Sequence, residues 1–171
     1  MLIKEIPLFN KKECGLIRNL IKPNPQNWNF KDRKYNSQPI NYSLETQWLF
    51  DKLKKFVETK TEIKFRSIKK QIHFHKFTKG DWFGKHNDVS DKRLYAVGVL
   101  LNDDFEGGDF KLYNPNEIIL DKIIGNTYVF DVRLTHEITP ILDGERYSLL
   151  WFLQQEHIKF DINKFNINKL I

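Results

Sequence analysis

Three residues of the sequence have the side chains and the spacing of a metal site. His86 and Asp88 are two positions apart, so on a β-strand their imidazole and carboxylate would project from the same face. His136 follows fifty residues after His86. Two histidines and one carboxylate on one side of a metal ion leave its opposite positions open, which is typical of mononuclear non-haem iron centres. The sequence therefore predicts a metal site formed by His86, Asp88 and His136.

A second pair of polar residues, Arg146 and Ser148, begins ten residues after His136. They are again two positions apart and would share one face of a strand. A guanidinium matches a carboxylate in two parallel hydrogen bonds. The apolar residues 149–152 predict that Arg146 is buried. Because a buried guanidinium needs an anion, Arg146 is a candidate carboxylate-binding residue.

The order His86-x-Asp88, His136 and Arg146 resembles the 2-oxoglutarate- and Fe(II)-dependent dioxygenases, most closely their prolyl 4-hydroxylase-like branch. The resemblance covers roughly residues 66–157, and the supporting segments are 77–83, 100–103, 105–110 and 146–152. It implies that the two histidines and Asp88 bind Fe(II), and that Arg146 and Ser148 bind the distal carboxylate of 2-oxoglutarate. The implied cofactors are Fe(II), 2-oxoglutarate and O2, and ascorbate stays open as a further one.

Two positions depart from the family pattern. By their place in it, Phe77 and Leu100 would also border the cosubstrate, at positions where family members often have tyrosines that donate a hydroxyl hydrogen bond. Phenylalanine and leucine have no such donor. Arg146 and Ser148 therefore remain as the polar groups for cosubstrate binding.

The reaction that the resemblance implies is hydroxylation of an unactivated C–H bond, coupled to decarboxylation of 2-oxoglutarate to succinate and CO2. A peptidyl proline is the first expectation for the substrate, and a free amino acid or small metabolite is the alternative. The net charge of +6 also suggests a nucleic-acid partner. We do not favour nucleic acid, because Phe152 stands where demethylases of the superfamily usually carry a second arginine. A non-catalytic binding module is less favoured still, since such a protein would be expected to have lost a ligand or Arg146.

Many short predicted strands with regular turn signals favour a barrel or jelly roll. The family implies an α+β fold in which a double-stranded β-helix is braced by N-terminal helices. A chain of 171 residues fits one domain. We expect a helical brace at about 1–65, a catalytic barrel at about 66–157 and a tail at 158–171. The predicted barrel strands are 67–77, 82–89, 94–102, 109–113, 118–124, 127–131, 134–141 and 145–154.

The elements before the barrel are predicted from caps and apolar spacing. Residues 2–8 read as a short strand that ends at Pro7. Asn10 and Glu13 form a capping-box pattern for a helix that would run to about Lys22. Ser43 would cap a second helix at about 44–58. Residues 24–42 are expected to form a surface loop with aromatic side chains tucked into the core, or a loop that folds over the active site.

Two further histidines, His73 and His75, share a face of the predicted strand 67–77 with Phe77. We expect them to be satisfied barrel histidines or to lie beyond the end of the pocket. The alternative is that they line the pocket as extra polar groups.

The single cysteine, Cys14, excludes an internal disulfide and fits a reducing compartment. The N-terminus lacks the apolar run of a signal peptide, and no window is long and apolar enough to cross a membrane. A cytoplasmic protein without a membrane partner is the expectation. The sequence gives no prediction of the oligomeric state.

Overall fold

The structure, a computed structural model, describes residues 2–5, 7–20, 26–67, 71–90 and 92–160. The helices are α1 (Lys11–Asn19) and α2 (Gln47–Lys60), and a 3-10 turn spans Gln155–His157. The strands are β1 (Leu2–Glu5), β2 (Gln26–Phe30), β3 (Arg33–Ile40), β4 (Ile63–Phe65), β5 (Ile72–Phe77), β6 (Trp82–His86), β7 (Arg93–Leu100), β8 (Phe105–Gly107), β9 (Phe110–Asn114), β10 (Asn116–Ile119), β11 (Thr127–Asp131), β12 (Thr135–Ile138), β13 (Ile141–Gly144), β14 (Arg146–Gln154) and β15 (Ile158–Phe160).

Eleven of these strands form one antiparallel sheet that curls into a half-barrel. Its order is β1-β11-β7-β14-β5-β3-β6-β12-β9-β10, and β2 pairs with β3 beside this path. Strand β3 pairs with both β5 and β6, so it joins the two halves of the curl. The remaining strands form the pairs β13–β8 and β15–β4. The predicted double-stranded β-helix is confirmed.

The two faces of the curled sheet carry two different cores. On the outer face, α1 and α2 pack their buried side chains, among them Ile17 and Leu53, against Phe74 and Trp151. On the inner face a second cluster contains Phe77, Leu100, Phe110, Leu112, Phe130 and Ile138. Strict alternation along β5 and β14 separates the two faces, since successive side chains of a strand point to opposite sides. The inner face is therefore the one that can hold a site.

Both predicted helices are present, with shifted ends. The capping box of Asn10 and Glu13 is confirmed, and α1 then ends at Asn19, before the predicted Lys22, which lies outside the described residues. Helix α2 begins three residues later than predicted, with Thr46 as its N-cap. Ser43 instead starts a turn in which the Gln47 amide donates to its carbonyl oxygen. The helices lie on the outside of the barrel, as expected.

The prediction of a loop at 24–42 was wrong for the part that the structure describes. Residues 26–40 form the hairpin β2–β3, and β3 continues the main sheet by pairing with β5. Tyr35 is buried, as expected of an aromatic residue tucked into the core, whereas the Phe30 side chain is 54% exposed. The polar residues of β3 concealed the strand, because they face the interior of the half-barrel rather than an apolar core.

Several barrel strands are shorter than predicted. Strand β6 ends at His86 rather than at Val89, and β10 ends at Ile119 rather than at Ile124. The expected turn at 103–108 contains the short strand β8. Strands β1, β2 and β3 belong to the main sheet with the barrel strands, whereas β4 pairs with β15, and the division of the chain into brace, barrel and tail stays a prediction. None of the described helices has the length and hydropathy to cross a membrane.

Candidate active site

The two histidines of the predicted metal site meet across a strand pair. Strands β6 and β12 are antiparallel, and their register places His136 opposite His86. Asp88 follows the end of β6, where its backbone amide donates to the carbonyl oxygen of Val132. One ligand atom from each of the three residues lies within 4.8 Å of the others. The structure therefore brings the three predicted residues together, although Asp88 reaches the cluster from a loop and not from the strand.

Backbone hydrogen bonds fix how both histidines face the cluster. The Nδ1 atom of His86 lies 2.7 Å from the carbonyl oxygen of Gly84, and Nδ1 of His136 lies 2.9 Å from that of Leu134. A carbonyl oxygen only accepts, so each Nδ1 carries a proton, and Nε2 is the nitrogen left to bind a metal ion when the imidazole is neutral. Metal-binding histidines use this arrangement to fix ring orientation and tautomer.

The atoms that face each other in the cluster are all electron-pair donors. Asp88 Oδ2 lies 3.3 Å from Nε2 of His136, and Asp88 Oδ1 lies 3.8 Å from Nε2 of His86. Asp88 Oδ2 is buried without a hydrogen-bond donor. Burial raises the pKa of Asp88, but its interactions with His136, His86 and Arg93 together hold the pKa below its ordinary value. Burial and then the neighbouring His136 lower the pKa of His86. Two imidazoles and a carboxylate are a ligand set that fits a divalent cation.

Aromatic rings hold the two imidazoles in place. The ring of Phe83 stacks on His86 with centroids 3.8 Å apart, and Phe130 meets His136 edge-on at 5.0 Å. The turn of the β2–β3 hairpin contacts the same strand, because the Gly84 amide donates to the Asp32 carbonyl oxygen at 2.8 Å. A Cβ atom at position 84 would lie 3.1 Å from that oxygen. The hairpin thus packs directly beside the first metal ligand.

Arg146 is buried beside the cluster and has no anionic partner among the described residues. It is 2% exposed, and its Nη1 donates to Ser148 Oγ at 2.7 Å. Its Nε atom is buried without a hydrogen-bond acceptor. Burial lowers the pKa of Arg146, and contact with the Tyr128 hydroxyl only partly offsets this. The protein alone therefore leaves the charge poorly compensated, as expected of a residue that binds an anionic ligand.

One cavity connects the histidines with the arginine. We call it the metal cavity, and its lining includes His86, His136, Arg146, Ser148, His75 and Tyr128. Phe77 lies opposite Arg146 in the β5–β14 pair, and its ring centroid is 5.6 Å from the Arg146 Cζ atom. Leu100 lies opposite Ser148 in the β14–β7 pair and shares a neighbouring cavity with Arg146. The structure thus brings together every residue that the sequence placed in the site.

A larger cavity of about 580 Å³ continues along the same inner face. We call it the large cavity, and its lining residues are Asn41, Tyr42, Gln71, His73, Arg93, Phe152 and Gln154. His75, which lines the metal cavity, has its ring 6.4 Å from that of His73, so the two cavities adjoin. His75 lines the metal cavity, in line with the alternative, whereas His73 lines the large cavity beyond it.

Three residues near the site were given no individual role by the sequence interpretation of function. Arg93 belongs to residues 90–93, which were expected to be a polar link at the mouth of the pocket, Tyr128 to the predicted strand 127–131, and Tyr35 to the predicted loop 24–42. Tyr35 stacks on both Phe77 and Phe83, at 5.1 Å and 5.2 Å between centroids. For Tyr128 a signal existed. Tyr128 and Phe130 are two positions apart on the predicted strand 127–131, so both side chains point to the same face of the barrel.

The structure resembles solved prolyl hydroxylases. A prolyl-4-hydroxylase of Pseudomonas putida matches with a TM-score of 0.68 and 18% identity, over 90% of this chain and 92% of that one. A viral collagen prolyl hydroxylase from Paramecium Bursaria Chlorella virus-1, solved as a 2OG complex, gives 0.68 and 17%, over 90% and 95%. A Trichoplax adhaerens prolyl hydroxylase, in complex with a hypoxia inducible factor peptide fragment, gives 0.73 and 16%, over 91% and 84%. At these identities the likeness defines the fold.

The sequence itself identifies the family. Residues 72–154 match the profile of the 2OG-Fe(II) oxygenase superfamily. Residues 72–154 are thus a 2OG-Fe(II) oxygenase region, and the fold around them is prolyl 4-hydroxylase-like. No curated protein matches the chain by sequence. The family match implies Fe(II), 2-oxoglutarate and O2 as its cofactors, and the cluster of His86, Asp88 and His136 is compatible with iron.

Proposed function

We propose that this chain hydroxylates an unactivated C–H bond, with Fe(II) bound by His86, Asp88 and His136. The observation that carries the proposal is the cluster itself, in which one ligand atom each of His86, His136 and Asp88 lies within 4.8 Å of the others while both Nδ1 atoms face backbone carbonyl oxygens. Bound Fe(II), with 2-oxoglutarate and O2, supplies the oxidative decarboxylation that yields succinate, CO2 and the hydroxylated product. The chain provides ligand geometry and a shielded environment.

Arg146 and Ser148 bind the distal carboxylate of 2-oxoglutarate in this proposal. The unpaired Nε of Arg146 and the hydroxyl proton of Ser148 are the donors that the protein leaves unused. Phe77 and Leu100 are both buried against this position and contribute apolar wall without a donor. Binding of the carboxylate would also compensate the buried guanidinium charge.

The walls of the metal cavity limit access of water to the reacting atoms. Phe110, Phe130 and Ile138 are buried on the side of His136, and Phe83 covers the face of His86. Such apolar shielding strengthens the interaction between Arg146 and an anion, because the local dielectric is low. It also protects a reactive oxidant from side reactions.

The large cavity is the proposed site of the prime substrate. It adjoins the metal cavity on the inner face, and its polar groups include the Arg93 guanidinium and the side-chain amides of Asn41 and Gln71. Amides and guanidinium groups match the carbonyl and N–H groups of a peptide backbone. The bound peptide of the Trichoplax adhaerens neighbour supports a peptide substrate. A peptidyl proline is therefore the first substrate class to test.

A free amino acid or small metabolite is the second candidate. A volume of about 580 Å³ lies within the usual range for small-molecule sites, which is about 300–1,000 Å³. Arg93 would then bind the carboxylate of the substrate rather than a peptide carbonyl group. Peptide and small-molecule substrates differ in whether chain extension on both sides of the hydroxylated residue is tolerated.

The test is turnover of the Fe(II)-loaded protein with 2-oxoglutarate and O2, with and without ascorbate. Proline-containing peptides and free amino acids are supplied separately, and succinate and a mass gain of one oxygen atom are measured. We expect oxygen insertion in one substrate class, loss of turnover in His136→Ala, and retention in Asp143→Ala, which alters an exposed carboxylate. Absence of succinate with every substrate, together with no binding of 2-oxoglutarate to the metal-loaded protein, would refute the proposal.

A further inference from the structure

Arg146 contacts a second hydroxyl besides that of Ser148. Tyr128 lies on β11 and is buried, and it lines two cavities together with Arg146, close enough for its hydroxyl to interact with the guanidinium. The guanidinium has only donors, so a hydrogen bond between the two uses the phenolic oxygen as the acceptor. The phenolic proton then points elsewhere, and no other partner of this hydroxyl is found in the part of the chain that the structure describes. The proton is therefore free to be donated to a ligand.

The Ser148 hydroxyl is also an acceptor for the Arg146 guanidinium. Its Oγ accepts from Arg146 Nη1 at 2.7 Å, so its own proton is also free. The Ser148 and Tyr128 hydroxyls thus provide two O–H donors near the unpaired Nε of Arg146. Donors collected around a buried guanidinium match the two oxygens of a carboxylate.

Tyr128 can supply the hydroxyl donor that Phe77 and Leu100 lack. Leu100, Tyr128 and Arg146 line one small cavity, so Tyr128 reaches the space beside Leu100 from the neighbouring strand. Tyr128 also lines the metal cavity together with His136 and Ser148. A hydroxyl from β11 is therefore available in the cavity that Leu100 borders without a donor of its own.

Gly98 makes room for this arrangement. It lies opposite Tyr128 in the β11–β7 pair, and a Cβ atom there would lie 2.2 Å from the Tyr128 ring and 2.7 Å from its hydroxyl. The ring also stacks on Phe110 with centroids 5.0 Å apart. Any larger residue at position 98 would displace the ring, so the placement of the Tyr128 hydroxyl depends on glycine at position 98. Burial raises the pKa of Tyr128, which keeps the hydroxyl protonated and able to donate.

We propose that Tyr128 is a cosubstrate-binding residue, whose phenolic O–H donates a hydrogen bond to the distal carboxylate of 2-oxoglutarate beside Arg146. The inference rests on the proposed function, because it takes 2-oxoglutarate as the ligand of Arg146. The sequence predicted cosubstrate-binding residues only on the segments that form β5, β7 and β14. The proposal adds a residue of β11 to them.

The experiment measures ligand affinity without turnover. Mn(II)-loaded wild type, Tyr128→Phe and Tyr113→Phe are titrated by calorimetry with 2-oxoglutarate and, separately, with oxalate, which chelates a metal ion but lacks the distal carboxylate. Tyr113 is the matched control, because its hydroxyl bonds Glu117 and Glu137 at the surface. In Tyr128→Phe we expect the Kd for 2-oxoglutarate to rise by about tenfold or more, as for loss of a hydrogen bond to a charged group. The Kd for oxalate should change by less than about twofold.

Each other outcome has a defined meaning. An unchanged Kd for 2-oxoglutarate in Tyr128→Phe would overturn the role of Tyr128 and leave the proposed function intact. An equal loss for 2-oxoglutarate and oxalate would overturn it as well, since the effect would then come from damage to the metal site. Failure of wild type to bind 2-oxoglutarate would refute the proposed function itself, and this inference with it.

Discussion

The metal cavity and the large cavity lie side by side on one face of the sheet, yet they are built differently. In the metal cavity hydrogen bonds orient the two histidines through backbone carbonyls and Arg146 through the Ser148 hydroxyl. In the large cavity Arg93 lies flat on Phe152, its Cζ atom 3.6 Å from the ring centroid, and no ion pair holds it in the described part of the chain. Fixed geometry suits a metal and a constant cosubstrate, whereas a less constrained polar lining suits recognition of the prime substrate.

The largest expected effect is the loss of the metal site in Asp88→Ala. Removing the only anionic ligand leaves two neutral imidazoles, which bind a divalent cation poorly. With Mn(II) at about 100 times its Kd, wild type should gain about 5–10 °C in Tm, because the ion binds only the folded state. We expect no gain in Asp88→Ala by thermal unfolding. Asp143→Ala, which alters an exposed carboxylate, should behave as wild type. A metal-dependent gain in Asp88→Ala would place the ion elsewhere.

The second prediction concerns the charge of Arg146 and has two parts of opposite sign. In Arg146→Met the Kd for 2-oxoglutarate should rise by about 100-fold or more, because a buried charged partner of the carboxylate is lost. Without ligand, the same variant should be more stable than wild type by about 1–4 kcal/mol, because an uncompensated buried charge is removed. Calorimetry and urea unfolding measure the two parts. Lower stability of the ligand-free variant would mean that the hydroxyl partners already compensate the guanidinium.

The sequence predicted the metal cavity better than the large cavity, for a physical reason. Metal ligands and a carboxylate-binding arginine are restricted to few residue types at strand spacing, so His86, Asp88, His136 and Arg146 could be read without the fold. Cavity linings have no such restriction. Arg93 acquires its place only when β7 pairs with β14, which brings it beside Phe152.

The fold shows the same contrast. Strands with an apolar period, such as β11 and β14, were predicted within a residue of their ends. Strand β3 was missed because its inward side chains include Ser37 and its partner β5 lies far along the chain. Tertiary pairing, rather than local propensity, decides such a strand. Asp88 was placed on a strand that ends two residues earlier, since the β6–β12 pairing stops at His86.

The third prediction tests the large cavity through Arg93→Met, which keeps the side-chain length. If Arg93 binds a carbonyl or carboxylate group of the prime substrate, its KM should rise by about tenfold or more. The Kd for 2-oxoglutarate should stay within about twofold of wild type, because the two cavities use different donors. Arg133→Met is the matched control, since Arg133 is exposed and pairs with Asp131. Equal increases in KM and in the Kd for 2-oxoglutarate would contradict the division into two cavities.

The smallest expected effect locates the boundary between the cavities at His75. Burial, then the neighbouring His73, lowers the pKa of His75 to about 3 in the folded chain. The unfolded chain takes up a proton at its ordinary pKa of 6.5, so protons favour unfolding between pH 6.5 and pH 3. The stability from this group is complete above pH 6.5 and is lost as the pH falls towards 3. Between pH 7 and pH 5 the free energy of unfolding of the metal-free wild type should therefore fall by about 2 kcal/mol through His75.

His75→Phe removes this titration, so its free energy of unfolding should fall by about 2 kcal/mol less than that of wild type over the same pH range. Urea unfolding in the presence of a chelator measures both proteins, and at pH 8 the histidine is neutral in either state. Parallel losses for the two proteins would mean that His75 accepts a proton in the folded chain as easily as in the unfolded one. Water would then reach its ring, and the solvated large cavity would extend past His73 to the edge of the metal ligands.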